Sequence, residues 1–207
     1  MVTIVVGKTP TKTYRMHKGV LAFYSEYFEK ALNGTFQEAQ AKEIKLPETE
    51  AGVFDTVQNW MYSHQLHPAN VKDVKTMEFA SIVQVWVFAD AHIMPALQNA
   101  TIDLLHHRVI ATWIVPLVTL HYVYENTVEN SGLRLYCIDV ISRTGSAKST
   151  MQPVHEGWYP TQAKIDILRV VWDDSFKQQT KDIVKTWDLC AYHVHEEGVK
   201  CPQKSTA

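Results

Sequence analysis

Disulfide bonds are not what holds this chain together. It has three cysteines in 207 residues, an odd and low count, which suits a reducing compartment, cytoplasmic or nuclear, better than a cross-linked secreted scaffold. An excess of one charge is missing too. Twenty Lys and Arg stand against 22 Asp and Glu, a net charge of −2, so the chain lacks the basic footprint of a nucleic-acid binder. No stretch reaches the roughly 18 consecutive apolar residues that a membrane-spanning helix needs. The first residues, MVTIVVGKTP, show no basic segment followed by a long apolar run, so no secretory leader is expected. There is no internal repeat and no low-complexity block.

What is present is the material of a packed core. Hydrophobic residues make up 46% and charged residues 20%, and six Trp, nine Tyr and seven Phe are available as anchors. The length suits one large domain, or one domain with an appendage, since domains most often run to roughly 100–150 residues.

The β-branched run VTIVV reads as a buried strand, GKTPTK as a turn broken by Gly7 and Pro10, and KTYRMH as the returning strand of a hairpin. After His17 the period changes. Val20, Tyr24, Tyr27, Phe28, Ala31 and Leu32 recur at helical spacing, and Asn33-Gly34 closes that helix. A short strand ending at Pro47 follows, then a helical stripe of Val53, Phe54, Val57, Trp60 and Met61. Residues 65–76 read as a polar loop. From Phe79 to Phe88 the chain is apolar nearly all round, which predicts a helix buried on most sides. Pro95 is placed to open the next helix, carrying Leu97, Ala100, Thr101, Leu104 and Leu105. Beyond about residue 112 only helices are expected, over Leu117–Tyr124, Leu133–Ile141, 163–172 and 175–189, with a long exposed loop over 142–159. The class is α+β and helix-rich: a three-stranded sheet cannot cover itself, so it must pack on a helical cluster.

These residues carry a resemblance. YRMHKGVLAFYSEYFEKALNGTFQEAQAKEIKLPE is similar to the core of the BTB/POZ domain, with His17-Lys18, then Leu21, Ser25, Tyr27 and Phe28, then Ile44, Leu46 and Pro47 in the family's order. FDTVQNWMYSHQL and VWVFADAHIMPALQNATIDLL resemble its later helices. With Leu97-Gln98-Asn99 and YENTVENSGLR, the chain looks most like the stand-alone BTB proteins common in fungi. The resemblance implies a BTB/POZ fold over residues 1–112, an all-helical extension over 113–190, and a tail over 191–207. It also implies a non-enzymatic interaction module: a substrate adaptor for a cullin-type ubiquitin ligase, or an assembly domain of a regulator, with homodimers among its partners. Two departures matter. The family's basic residue, here Lys18, usually faces an Asp on the first strand, but Met1 precedes Val2. The sequence also begins at the core strand, so a dimer exchanging an N-terminal strand is not expected. Lys18, with Met77 and Phe79 after the 65–76 loop, are the expected interaction residues.

Other motifs have plainer readings. Gly7-Lys8-Thr9 follows a strand, but the phosphate loop's earlier Gly is Val2 here, so it is a hairpin turn. His17 can satisfy backbone groups left open at a helix start. Asp90 and His92 read as a satisfied, semi-buried pair. His106 and His107 are adjacent and do not share a helix face, so they are not joint metal ligands. The tail is different. Cys190-x2-His193-x-His195-x5-Cys201 offers four Cys and His ligands, the set that structural zinc prefers. Two readings stay open: a structural zinc clip, or a fraying terminus that carries ligand-type residues in a spacing that matches no standard zinc finger. The enzymatic alternative is a zinc-dependent hydrolase, since His195-Glu196-Glu197 contains H-x-E. The P-C-x-x-C partner of that signature is missing, however.

Overall fold

The computed structural model describes residues 1–34, 37–67, 73–146, 148–195 and 201. The N-terminal part is built on a three-stranded sheet of order β2–β1–β3, made from β1 (Val2–Val6), β2 (Lys12–Met16) and β3 (Glu43–Leu46). β1 and β2 form the expected antiparallel hairpin, with Val2 opposite Met16 and Ile4 opposite Tyr14. Gly7 turns it at φ 86°, a left-handed conformation that only glycine adopts without steric cost. β3 runs parallel to β1, with Ile4 opposite Ile44. Side chains alternate across a strand, so Ile4, Val6, Tyr14, Met16, Ile44 and Leu46 share one face and are buried.

The buried face packs on α1 (Lys18–Tyr24), α2 (Glu26–Asn33) and α4 (Ala51–Ser63), with α3 (Gln37–Ala41) leading into β3. The single helix expected after His17 is therefore two. Ser25 sits between them in extended conformation at φ −141°. Its Oγ accepts the Phe28 N–H at 3.1 Å, capping α2, and donates to the His92 carbonyl at 2.6 Å. The helical spacing runs through this break because both helices send apolar residues, Leu21 and then Phe28 and Leu32, into one core. Gly34 closes α2 at φ −80°, not in the left-handed region.

The next two helices are the centre of the molecule. α5 (Phe79–Ala91) and α6 (Pro95–Thr112) make a tight helical hairpin, with Pro95 at the start of α6 as expected. Val85, Phe88, Ala89, Met94 and Leu97 join the sheet's core. Phe79, Ile82, Val83, Trp86, Ile102, Leu105 and Val109 join a second core, built with residues from 117 onward. α5 is apolar all round because it is buried on two sides. The boundary expected at residue 112 falls at the end of α6, but the second core reaches back across it to Phe79.

That second core is completed by α7 (Leu120–Asn126), α8 (Gly132–Thr144) and α9 (Thr161–Val171). The stretch 142–159 is not a plain exposed loop. Ser142 is buried within α8, Pro153–Trp158 is a 3₁₀ turn, and buried Tyr159 donates to the Thr150 carbonyl at 2.8 Å. The helix expected over 175–189 is also corrected: it shrinks to α10 (Lys181–Val184). The last carbonyls of a helix have no partner within it, and the polar residues before α10 serve that need. The Gln179 N–H donates to the Arg143 carbonyl at 2.8 Å, and Gln178 Nε2 to the Ser142 carbonyl at 3.2 Å. Among the described residues, no helix is long and apolar enough to cross a membrane.

Two outcomes follow. Cutting the chain after Thr112 uncovers the second-core side chains of α5 and α6. Each loses about 1.5–3 kcal/mol of burial, on the order of 10 kcal/mol together, as much as the whole stability of a typical domain. The shortened chain is expected to aggregate or stay unfolded in size-exclusion chromatography and circular dichroism. A soluble fragment as stable as the full chain contradicts the shared core. The α5–α6 turn holds Ile93 at φ 51°, which costs a β-branched residue about 1–2 kcal/mol. Ile93→Gly removes that cost against about 0.5–1 kcal/mol of glycine entropy. The variant is expected to unfold at a higher temperature than the parent; a lower one refutes the strain.

Candidate functional site

The described part of the tail is laid across α8 and α6. Asp188 caps a 3₁₀ turn, Leu189–Tyr192, by accepting the Cys190 N–H at 3.0 Å. Tyr192 is buried, donates to Asp139 Oδ2 at 2.9 Å, and meets the Tyr136 ring edge-on at 5.4 Å. Gly132, the first residue of α8, permits this approach. A Cβ there would lie 2.0 Å from the Tyr192 carbonyl oxygen. The chain then reaches α6. Asn99 Nδ2 donates to the Val194 carbonyl at 2.9 Å, and the Val194 N–H donates to Asn99 Oδ1 at 2.7 Å. His193 Nε2 lies 3.0 Å from Asp103 Oδ1. Asn99 and Asp103 are four residues apart and share one face of α6.

This docking gathers the Cys and His residues of the tail. The ligand atoms of Cys190, His195 and Cys201 all lie within 4.8 Å of one another. Cys190 Sγ is 3.5 Å from His195 Nε2, and Cys201 Sγ is 3.6 Å from His193 Nδ1. Three of the four expected ligands thus meet at one point, and the fourth stands beside Cys201. The His193 side chain is 3% exposed and Cys201 is 4% exposed. Burial pushes the His193 imidazole down, but its bonds to Asp103 and Cys201 outweigh that and leave it raised. Glu196, which the hydrolase alternative needs, lies outside the described residues, as do the rest of 196–200 and 202–207.

The other expected residues fall in varied places. Lys18 is exposed, and its Nζ donates to the Leu32 carbonyl at 2.8 Å. Phe79 is no surface contact: it is 7% exposed and sits in the second core beneath the Arg108 guanidinium, 4.8 Å from its ring. Met77 packs on the same core, and its carbonyl accepts from Arg108 Nε at 2.8 Å. This stretch after the loop is a structural seam, although residues 68–72 of the loop lie outside the described residues. His17 does not cap α1 with its ring. Its Nδ1 is 3.0 Å from the Tyr62 hydroxyl, which also accepts the His17 N–H.

Asp90 and His92 are each satisfied, but not by one another. Gln98 donates to Asp90 at 3.0 Å, and His92 Nδ1 bonds the Phe88 carbonyl at 2.7 Å while its ring stacks on Phe88 and Phe28. His106 is buried and His107 exposed, as expected of neighbours on a helix. Cys137 is no nucleophile: complete burial pushes its thiol up to about 12.

Sequence reasoning missed two surfaces. Phe23, on α1, is 80% exposed. It meets Tyr24 edge-on at 4.8 Å, and Tyr24 in turn packs on Trp60 and His64. Helical spacing does point to this: Phe23 lies off the stripe of Val20, Tyr24 and Phe28, and a large aromatic off the buried stripe faces water. The second surface is a cleft of about 190 Å³ lined by residues of α7, α8 and α9. Three of its charged side chains are already engaged. Tyr124 donates to Asp166 at 2.8 Å, Arg169 pairs with Asp166 at 3.2 Å, and Arg134 binds the carbonyls of Tyr124 and Thr127 and lies over the Tyr124 ring. That network braces three helices and leaves little unpaired charge to read a ligand.

Residues 2–100 match the family model of the BTB/POZ domain. No curated protein matches the chain.

The buried histidines give the fold an acid sensitivity. Burial lowers the pKa of both His92 and His106 below the usual 6.5. As pH falls through 6.5 the unfolded chain takes up protons that the folded chain refuses, so their contribution is full above 6.5 and is lost below it. His193, raised, acts in the opposite direction. His92→Phe, which keeps the aromatic stack, is expected to show a shallower fall in melting temperature than the parent between pH 7 and 5. An unchanged slope contradicts a buried, neutral His92.

Proposed function

Because residues 2–100 are a BTB/POZ domain, a module through which proteins bind other proteins and dimerise, we propose that this chain is a non-enzymatic adaptor. Its BTB half engages a scaffold of the cullin type, and its helical half presents a second partner. The observation that carries this reading is Phe23, near the end of α1, whose side chain is 80% exposed on the half of the molecule that carries the interaction domain. A large aromatic side chain held in water is a ready interface anchor, since aromatic side chains dominate interface energetics. The α5–α6 hairpin supports the adaptor role, since it ties both halves to shared cores. The hydrolase alternative gains no support, and the domain family is generally non-enzymatic.

The test is a binding measurement with a control for folding. Phe23→Glu is expected to weaken binding to a purified cullin scaffold by at least about tenfold, the effect of losing one interface anchor. Its melting temperature should stay close to that of the parent, because the side chain is already in water. Phe79→Glu, by contrast, should unfold the protein. Light scattering on the same samples separates scaffold binding from self-association. If Phe23→Glu binds the scaffold as the parent does, or if the parent does not bind it at all, the proposed use is wrong.

A further inference from the structure

We propose that the tail binds one zinc ion through Cys190, His193, His195 and Cys201, forming a closed structural clip that fastens the end of the described chain to α6. This goes beyond the interaction reading and does not depend on it. Part of the ligand set already has the spacing of a tetrahedral site, and His193, beside Cys201, completes it by turning in toward the other three. Zinc sits about 2.3 Å from sulfur and about 2.0–2.1 Å from nitrogen, so tetrahedral bond angles place a sulfur and a nitrogen ligand about 3.6 Å apart. Two of the four sulfur–nitrogen distances have this length: 3.5 Å for Cys190–His195 and 3.6 Å for Cys201–His193. A thiol hydrogen-bonded to an imidazole can have a similar length. Such a bond does not explain why a second thiol converges on the first pair, with the atoms of Cys190, His195 and Cys201 all within 4.8 Å.

The surroundings fit a metal ligand set in two further ways. His193 presents Nδ1 to Cys201, while its other nitrogen lies 3.0 Å from the Asp103 carboxylate. A carboxylate behind a histidine fixes the ring's tautomer and direction and makes it a better ligand. Charge balances as well. Zinc binding displaces the protons of two thiols to solvent and leaves both imidazoles neutral, so two thiolates cancel the charge of the ion. A neutral site suits the burial of Cys201 and of the His193 side chain. Four protein ligands leave no position for water, so the clip is structural and not catalytic. Asn99, four residues before Asp103, holds the Val194 backbone through both its amide atoms and presents the segment between the two histidines.

The experiment uses the full chain, purified from zinc-supplemented medium. Elemental analysis is expected to find close to one zinc per chain. After chelation, titration with Co²⁺ should give the intense visible bands of a tetrahedral site and a thiolate-to-metal charge-transfer band. Cys190→Ser and Cys201→Ser should each weaken Co²⁺ binding by at least about tenfold. Asp103→Asn should weaken it by about 10–100-fold with an unchanged circular dichroism spectrum, which keeps the test valid even if a Cys variant misfolds. His193→Ala should weaken binding and shift the visible bands as water enters. A full chain with no zinc and no Co²⁺ absorbance overturns the site, as does binding indifferent to both Cys changes. Unchanged affinity and bands in His193→Ala overturn the closed, four-ligand clip.

Discussion

The burial of one helical hairpin on both sides is the constraint on which the rest of the molecule depends. α5 carries Val85, Phe88 and Ala89 into the core under the sheet, and Phe79, Ile82, Val83 and Trp86 into the core of the C-terminal helices. A helix can do this only if nearly every position is apolar, and FASIVQVWVFADA is. Once α5 is committed to both cores, neither half can bury its own hydrophobic surface alone. The family match ends at residue 100, inside α6 (Pro95–Thr112). The recognised domain therefore ends partway along a helix that the second core needs. The tail returns to that same helix, at Asn99 and Asp103.

This arrangement bears on function through rigidity. The proposed adaptor role requires two partners to be held in fixed relation, and inter-domain motion is the default unless the interface is large and apolar. Here there is no interface in that sense, only continuous packing through α5 and α6. The exposed Phe23 and the helices of the second core then belong to one body. Buried polar groups brace that body: the Cys137 thiol is buried and protonated, His92 Nδ1 bonds the Phe88 carbonyl, and His106 Nδ1 lies 3.3 Å from the Tyr136 hydroxyl.

Much of this was legible in the sequence, for reasons that can be named. Alternation gave the hairpin and its buried face. Periodicity gave α4, α5, α6 and α8, and Pro95 marked the start of α6. The convergence of Cys190, His195 and Cys201 was suggested by residue type and spacing. Other features were hidden because tertiary contacts decided them. Ser25 breaks the first helix because its hydroxyl serves both the start of α2 and the end of α5, 67 residues away in sequence. Residues 175–189 have helical spacing, yet Gln178 and Gln179 go instead to the open carbonyls of α8. Phe79 looked like a surface contact after a loop; only the three-dimensional placement of Arg108 and the second core shows it to be buried.

Two tryptophans report on the two cores: Trp60 lies in the core beneath the sheet and Trp86 in the core of the C-terminal helices. Fluorine NMR of 5-fluorotryptophan-labelled protein resolves them during a urea titration. If α5 and α6 join the cores as described, both signals move from folded to unfolded positions with one midpoint, as in a two-state transition. Two separate midpoints, with one tryptophan still folded after the other has unfolded, would contradict a single shared core.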